Sequence, residues 1–445
     1  MFLLEKIFHL KENRTDIRTE FLAGITTFMT MSYIIFVQPA ILSISGMDFG
    51  AVMVATCLAS FIATILMGIL ANYPIALAPA MGHNVFFVYT VCLGMKVPWQ
   101  IALGANFISG VIFIISSLFS FRQRIIEAVP DSLKQAIAAG IGLLIAMIGL
   151  QWSGIIRGNP FTLVSLGNLR SKAVILSIAG TLFIGVLLSR RIKGAILWGI
   201  LFNLVLGIIL GIVKFEGILS KPPSISPTFL KLDIISVFKG GINMLVVIFV
   251  LFFLDLFDTV GTLIGVGKQA GFITKEGKLP RAEKALLSDA IGTVEGTLLG
   301  TSTITSYIES ASGISCGGRT GLSNIFTGIC FIIALFFYPL IRMVGGGYKI
   351  SEGIILYPVI APALIMVGAL MLNSITRINW QDYTEVLPCF ITILIMPLTL
   401  SITEGIAFGF ISYSILKLVC GKAKEVSWLI YLFSFLFILR YIFLR

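Results

Sequence analysis

Charge is what this chain has least of. Only 12% of its 445 residues are Asp, Glu, Lys or Arg, 57% are hydrophobic, and the mean hydropathy is +1.02, which excludes an ordinary soluble domain. Histidine occurs only twice. The six cysteines, Cys57, Cys92, Cys316, Cys330, Cys389 and Cys420, stand singly without a C-x-x-C pair, so neither a disulfide framework nor a structural metal site has its ligand spacing. A phosphate loop is missing as well: in GTLIGVGKQAG, Gln269 follows Lys268 where Ser or Thr is required. The glycine spacing there, Gly261 to Gly265, reads instead as a close approach between helices. H-E-x-x-H does not occur. These absences argue against an ATP-driven pump and against an enzyme, and no cofactor is expected. The opening MFLLEKIFHLKENRTDIRTE is charged and lacks the apolar run and small-residue site of a removable signal peptide.

What the chain does have is apolar length. At about twenty residues per crossing, the fold expected is an all-α polytopic membrane protein with about fourteen spans. The first seven are placed at 20–43, 51–70, 74–92, 99–120, 132–150, 171–189 and 193–213. A polar connection, KFEGILSKPPSISPTFLKLD, follows, and its prolines exclude helix. The pattern then restarts at 243–267, 284–299, 301–315, 318–341, 353–373, a long stretch 383–418 broken near Pro397, and 427–444. With both termini cytoplasmic, the clusters Arg122, Arg124 and Lys134, then Arg190, Arg191 and Lys193, then Lys268, Lys275, Lys278, Arg281 and Lys284 all fall inside. That orientation agrees with the positive-inside rule and accounts for the net charge of +11 without nucleic acid. Lys221, Lys231 and Lys239 on outer connections weaken the bias.

Two spans are irregular, the third (PIALAPAMGHNVFFVYT) and the tenth (GTSTITSYIESASGIS). Each reads as an extended segment followed by a short helix. Their matching positions point to a seven-plus-seven inverted repeat, and paired broken helices are a pointer to a midplane ligand site.

Acids lie in the same region. Asp255 and Asp258 sit inside MLVVIFVLFFLDLFDTVGTLIGVG, and Glu309 follows STITSYI. A carboxylate at the bilayer centre costs about 2.5–3.5 kcal/mol and is therefore a functional candidate. Asp255, Asp258 and Thr262 are spaced to share a helical stripe and one pocket. Glu309 is expected near the free N–H groups of a helix start. Asn84, in the corresponding half-helix, supplies amide donors and acceptors, and His83 stands beside it. Phe86, Phe87 and Tyr307 are candidates to sandwich a planar ring, with Ser306 beside them and Ser310 in support. Asp289 and Glu295 are weaker candidates, since near a helix end a carboxylate can cap or reach water.

At these residues the sequence resembles a known family. ALAPAMGHNVFFVYT, LFFLDLFDTVGTLIG, LLGTSTITSYIESASGISCGGRTGL and MPLTLSITEGIAFGF, together with NRTDIRTEFLAGITTFMTMSYIIFVQPAIL at the start, are similar to the azaguanine-resistance-type purine permeases of the nucleobase–cation symporter superfamily. The resemblance covers essentially the whole chain. It implies proton-coupled uptake of adenine, guanine, hypoxanthine or xanthine across the cell membrane, with a core domain sliding against a gate domain, and a homodimer as the assembly. Residues 1–19 would then be a cytoplasmic segment, 20–120 and 243–343 the core, 121–213 and 344–445 the gate, and 214–242 an extracellular connection. Asn84, Asp255, Asp258 and Glu309 occupy the family's binding positions; Asp255, Asp258 and Glu309 are the proton-coupling candidates. His83 and Val85 depart from the leucine and alanine of many relatives, which leaves the preferred purine open. The alternative is an anion transporter on the same architecture, for sulfate, bicarbonate or a dicarboxylate, against which three acids near the site argue.

Overall fold

Backbone polar groups have no water to bond in a bilayer, so apolar segments must close their hydrogen bonds internally, and the chain is accordingly mostly helical. A computed structural model describes residues 2–118, 129–274, 279–351 and 354–443. Arg122, Arg124, Lys275 and Lys278 lie outside the described residues. Among the described residues, eight helices are long and apolar enough to cross a membrane.

After a short α1 (Phe2–Phe8), the first span is two helices, α2 (Ile17–Met31) and α3 (Ile34–Ser43), separated at Ser32–Tyr33. The Asp16 carboxylate starts α2 by accepting the Thr19 N–H at 2.8 Å, an ordinary N-cap. Next come α4 (Phe49–Leu66), strand β1 (Leu77–Pro79), α5 (Met81–Val85) continued by a π-helical turn to Gly94, and α6 (Trp99–Leu118). The helices α7 (Asp131–Trp152), α8 (Lys172–Ser189) and α9 (Ala195–Ile209) follow, with the outlying hairpin β2 (Ile156–Asn159) and β3 (Leu163–Leu166) between α7 and α8. Residues 214–233 are free of helix, as their prolines require.

The chain continues with α10 (Ile234–Lys239), α11 (Gly241–Ala270), α12 (Ala282–Leu299), strand β4 (Ile304–Ser306), α13 (Ser310–Ser315), α14 (Leu322–Ala334) and α15 (Tyr338–Gly345). Strands β5 (Tyr348–Ser351) and β6 (Ile354–Leu356) pair with each other, and α16 (Ala361–Met371), α17 (Tyr383–Thr399), α18 (Ile402–Val419) and α19 (Trp428–Phe443) end the chain. The fold is mostly helical, with three short antiparallel pairs, one of which, β1 with β4, joins the two broken spans.

Packing falls into two groups. The helix α14 lies against α2 and α4, α12 against α4 and α6, and α11 against α6. Separately, α7 packs on α16 and α17, α8 on α9 and α16, and α17 on α18. One expectation fails here. Residues 383–418 do not make a single span broken at Pro397; Pro397 is inside α17, and the chain reverses at Leu400, which takes a left-handed backbone. Met396 meets Gly405, Thr392 meets Gly409, and Glu385 pairs with Lys417. Such contacts move in opposite directions along the two helices, so they form a hairpin. The pair α8 and α9 is another, with Ile184 against Gly199 and Asn203 against Gly180.

The apolar α19 lies against both groups. Its Phe433 ring stands 4.7 Å from Phe249 of α11 and 6.4 Å from Phe410 of α18, while Arg440 pairs with Glu404 of α18 at 2.9 Å.

Gly142 and Gly368 set the spacing of α7 and α16: a Cβ at Gly368 would run into the Gly142 carbonyl. Gly368→Val should therefore cost about 1–3 kcal/mol, read as a lower melting midpoint of the detergent-purified protein. A melting curve superimposed on the wild type would show that the two backbones do not meet there. At the mouth of the α17–α18 hairpin, the Lys422 ammonium 2.7 Å from Asp382, helped by the Thr384 hydroxyl and N–H, holds the Asp382 carboxyl well below the usual range. A carboxyl lowered on folding contributes its stability in full above its unfolded value of about 4 and loses it as pH falls through the folded value. The melting deficit of Asp382→Asn should accordingly be as large at pH 5 as at pH 7; a deficit that fades between them would exclude this ion pair as its source.

Candidate functional site

The two broken spans meet as strands. Leu77, Ala78 and Pro79 face Ser306, Thr305 and Ile304 in antiparallel register, and the pairing is extended by Ala80 N–H to the Thr303 carbonyl and Tyr307 N–H to the Ala76 carbonyl, each 2.9 Å. Extended backbone is tolerated here because each strand supplies the other's hydrogen bonds. Helix α5 leaves one end of the pair and α13 leaves the other, so both helix starts are anchored to the same two-stranded element.

Glu309 stands at the N-cap of α13 and is half-buried. Its Oε1 accepts the Tyr33 phenol at 2.7 Å. Tyr33 comes from the break in the first span, and its ring lies 6.4 Å from that of Tyr307. The Tyr307 hydroxyl donates to the Pro79 carbonyl at 2.5 Å. Asp258 is within Coulombic range of Glu309, and its side chain is accessible although Asp255 and Thr259 beside it are buried. Accessible positions continue along α11 at Gly261, Gly265 and Lys268, three to four residues apart and hence on one face. A Cβ on Gly261 or Gly265 would meet nothing within 4 Å. These glycines therefore do not serve the close helix contact their spacing suggests; they leave the face of α11 from Lys268 to Asp258 accessible, a candidate cleft beside Glu309, whose neighbour Ile308 is also 61% exposed.

Other expected residues are placed differently. Asp255 and Asp258 differ in exposure, Asp258 being accessible and Asp255 fully buried. Asp255 points to α12, where its Oδ2 accepts the Thr293 hydroxyl at 3.1 Å. Thr262 is 7% exposed. Ser306 turns from the cleft and donates to Asp289 at 3.0 Å. Ser310 accepts the Ala76 N–H at 3.0 Å, tying the start of α13 to β1. Phe86 and Phe87 are buried in the main apolar core. His83 is buried with Nε2 unpartnered, beside the Leu251 backbone.

Asn84 is fully buried and committed to the protein: its amide donates to the Gln38 oxygen, and its oxygen accepts the Ser302 hydroxyl. Gln38 in turn donates to Thr301 at 2.9 Å and to Ser302 at 3.0 Å. This network joins the first, third and tenth segments.

The permease family model named Xan_ur_permease matches residues 18–408. The chain belongs to that permease family. This permease is 45% identical to the adenine permease AdeP of Escherichia coli (strain K12), over 99% of this chain and 96% of the relative. It is likewise 45% identical to the guanine/hypoxanthine permease PbuG of Bacillus subtilis (strain 168), over 99% and 100%. Among solved structures it is similar to the transmembrane domain of a cyanobacterium bicarbonate transporter, BicA, with TM-score 0.65 at 16% identity, over 87% of this chain and 96% of that one. That likeness concerns the fold. The permease is a multi-pass membrane protein, and its family and relatives are transporters rather than enzymes.

Tyr33 and Gln38 escape a reading based on acids and broken helices. Gln38 does carry a signal, being a lone amide in the apolar run SYIIFVQPAIL that must find a partner; Tyr33 carries none, since a tyrosine among apolar residues is ordinary. Gln38→Leu would leave Asn84, Thr301 and Ser302 short of partners at sites with at most 1% exposure. It should cost about 1–3 kcal/mol per orphaned group and lower the melting midpoint more than Gln38→Glu. Equal melting of Gln38→Leu and wild type would remove the network from the account of stability.

Proposed function

We propose that this permease is a secondary active transporter that takes up purine nucleobases together with a proton. The observation that carries this reading is the hydrogen bond from Tyr33 to Glu309, a protein donor resting on a carboxylate at the end of an open cleft. A purine is flat, nearly neutral and edged with N–H donors, so its edge can replace the phenol at Glu309 while Tyr33 and Tyr307 line its faces. The adenine and guanine/hypoxanthine permeases among its relatives support the substrate class. Asp258, in Coulombic range of Glu309, holds the accompanying proton or a second N–H. Asn84 acts indirectly, by fixing the two broken segments through Gln38 and Ser302. Phe86, Phe87 and His83 form the wall behind them.

The same proposal includes fourteen spans in two inverted sets of seven. The two packing groups support it: α2 to α6 with α11 to α15 would be the core, and α7 to α9 with α16 to α18 the gate, α19 being an addition to the second set. Transport is then an elevator movement of core against gate. An anion such as sulfate or bicarbonate would meet Asp258 and Glu309 in the same cleft and be repelled by both.

Uptake of labelled adenine and guanine into purine-transport-deficient cells, with and without a protonophore, tests the reading. Adenine, guanine, hypoxanthine or xanthine should compete and sulfate should not, and the protonophore should abolish accumulation. Glu309→Gln should lower uptake at least about tenfold, the weight of one charged hydrogen bond. Full accumulation by Glu309→Gln, or competition by sulfate alone, would refute the assignment.

A further inference from the structure

A second pair of carboxyls lies deeper than the cleft. Asp255 on α11 and Asp289 on α12 are both fully buried, and reciprocal bonds turn them toward each other, Thr293 of α12 donating to Asp255 and Thr259 of α11 donating to Asp289. Asp289 is well supplied with donors: Oδ2 accepts the Thr259 hydroxyl at 2.8 Å and Oδ1 accepts Ser306 at 3.0 Å. Asp255 has the Thr293 hydroxyl on Oδ2, but its Oδ1 has no donor among the described residues. Among the described residues, neither acid has a lysine or arginine partner. The ionisable groups near them on packed elements are Asp258 on the same helix, Glu309 at the head of α13, and His83 of α5 beside Leu251. Helices α4 and α6 carry no Asp, Glu, Lys, Arg or His.

From this geometry we propose that Asp255 and Asp289 hold the coupled proton between them, at a site separate from the ligand. The proposal rests on the proton-coupled reading above and moves the ion from the cleft to this pair. Two adjacent carboxylates in a medium of low dielectric cannot both stay charged. The orphaned Asp255 Oδ1 is where a proton completes the arrangement, donated toward Asp289, whose other lone pairs are already occupied by hydroxyls. A metal ion is a poorer occupant, because those hydroxyls spend their hydrogens on the carboxylates and turn their lone pairs elsewhere.

The pair is also wired to the ligand segment. Ser306 belongs to β4, and Thr259, which bonds Asp289, also bonds Thr305 of β4 at 2.9 Å. Thr293, which bonds Asp255, is within 2.9 Å of the Ile304 carbonyl and accepts the Ile304 N–H at 3.2 Å. All three residues of the strand that leads to Glu309 are therefore held by the groups around this proton. When the proton leaves to water, two negative charges face each other across α11 and α12, and the strain falls on β4. Proton and base are thus coupled without touching.

The test uses the full-length protein in proteoliposomes. Asp289→Asn and Asp255→Asn should each lose accumulation of labelled purine driven by an imposed pH gradient, while still exchanging labelled for unlabelled purine across the membrane. Gradient-driven accumulation by either variant at the wild-type level overturns the proposal. So does loss of exchange in a variant whose melting matches the wild type, since the pair would then belong to the ligand site. So does a wild type driven by sodium in place of protons. Infrared spectroscopy of the wild type gives a reading that does not depend on how the variants fold: a carboxylic-acid C=O band should persist at neutral pH and shift in Asp255→Glu, and its absence overturns the proposal. A wild type that moves no purine defeats the transport assignment, and the infrared band still decides whether the pair holds a proton.

Discussion

The structure depends on one contact, the antiparallel pairing of β1 with β4. Neither strand has a helix's internal hydrogen bonds, and in lipid each unsatisfied group would cost several kcal/mol. Brought together, Leu77–Pro79 and Ile304–Ser306 satisfy each other. Everything placed at the site follows from this crossing, because it fixes where α5 and α13 begin and therefore where Asn84 and Glu309 stand. It also explains the density of hydroxyl groups nearby. Thr64 bonds the Leu77 N–H and carbonyl, and Thr293 the Ile304 N–H and carbonyl, taking up what the strands leave over.

Polar side chains around the crossing divide into two populations. Asp258 and Glu309 reach the candidate cleft, and Glu309 Oε1 accepts the Tyr33 phenol. Asp255, Asp289, Asn84 and Gln38 are sealed. A sealed polar group is expensive unless fully bonded, and the Asn84–Gln38–Ser302 network meets that requirement with amides and hydroxyls alone. The Asp255–Asp289 pair does not, since Asp255 Oδ1 finds no donor among the described residues.

Much of this was legible in the sequence, for identifiable reasons. Acids inside apolar runs are too costly to be incidental, so Asp255, Asp258 and Glu309 stand out, and Pro74, Pro79 and the β-branched STITSYI mark the two segments that break. What sequence alone did not resolve was direction. A spacing of three does not say which of Asp255 and Asp258 faces the cleft, and nothing in SDAIG shows that Asp289 lies against Asp255 rather than at a helix end. The glycines of α11 misled for a related reason: small residues permit close packing and open space equally. Pro397 misled because a proline inside a helix can remain there, whereas the reversal came at Leu400, a residue without turn chemistry. The family resemblance carried the substrate class, which geometry alone would have left as a planar donor-edged molecule.

The last helix lies against both packing groups. On one side α19 is fastened to α18 by Arg440 and Glu404, a directional link that resists displacement. On the other it meets α11 through phenyl rings, Phe433 against Phe249 and Phe253. Rings in contact have no donors to align, so this side is held by dispersion and ring geometry without a directional bond. The C-terminal helix is thereby anchored by charge to one neighbour and merely greased against the other.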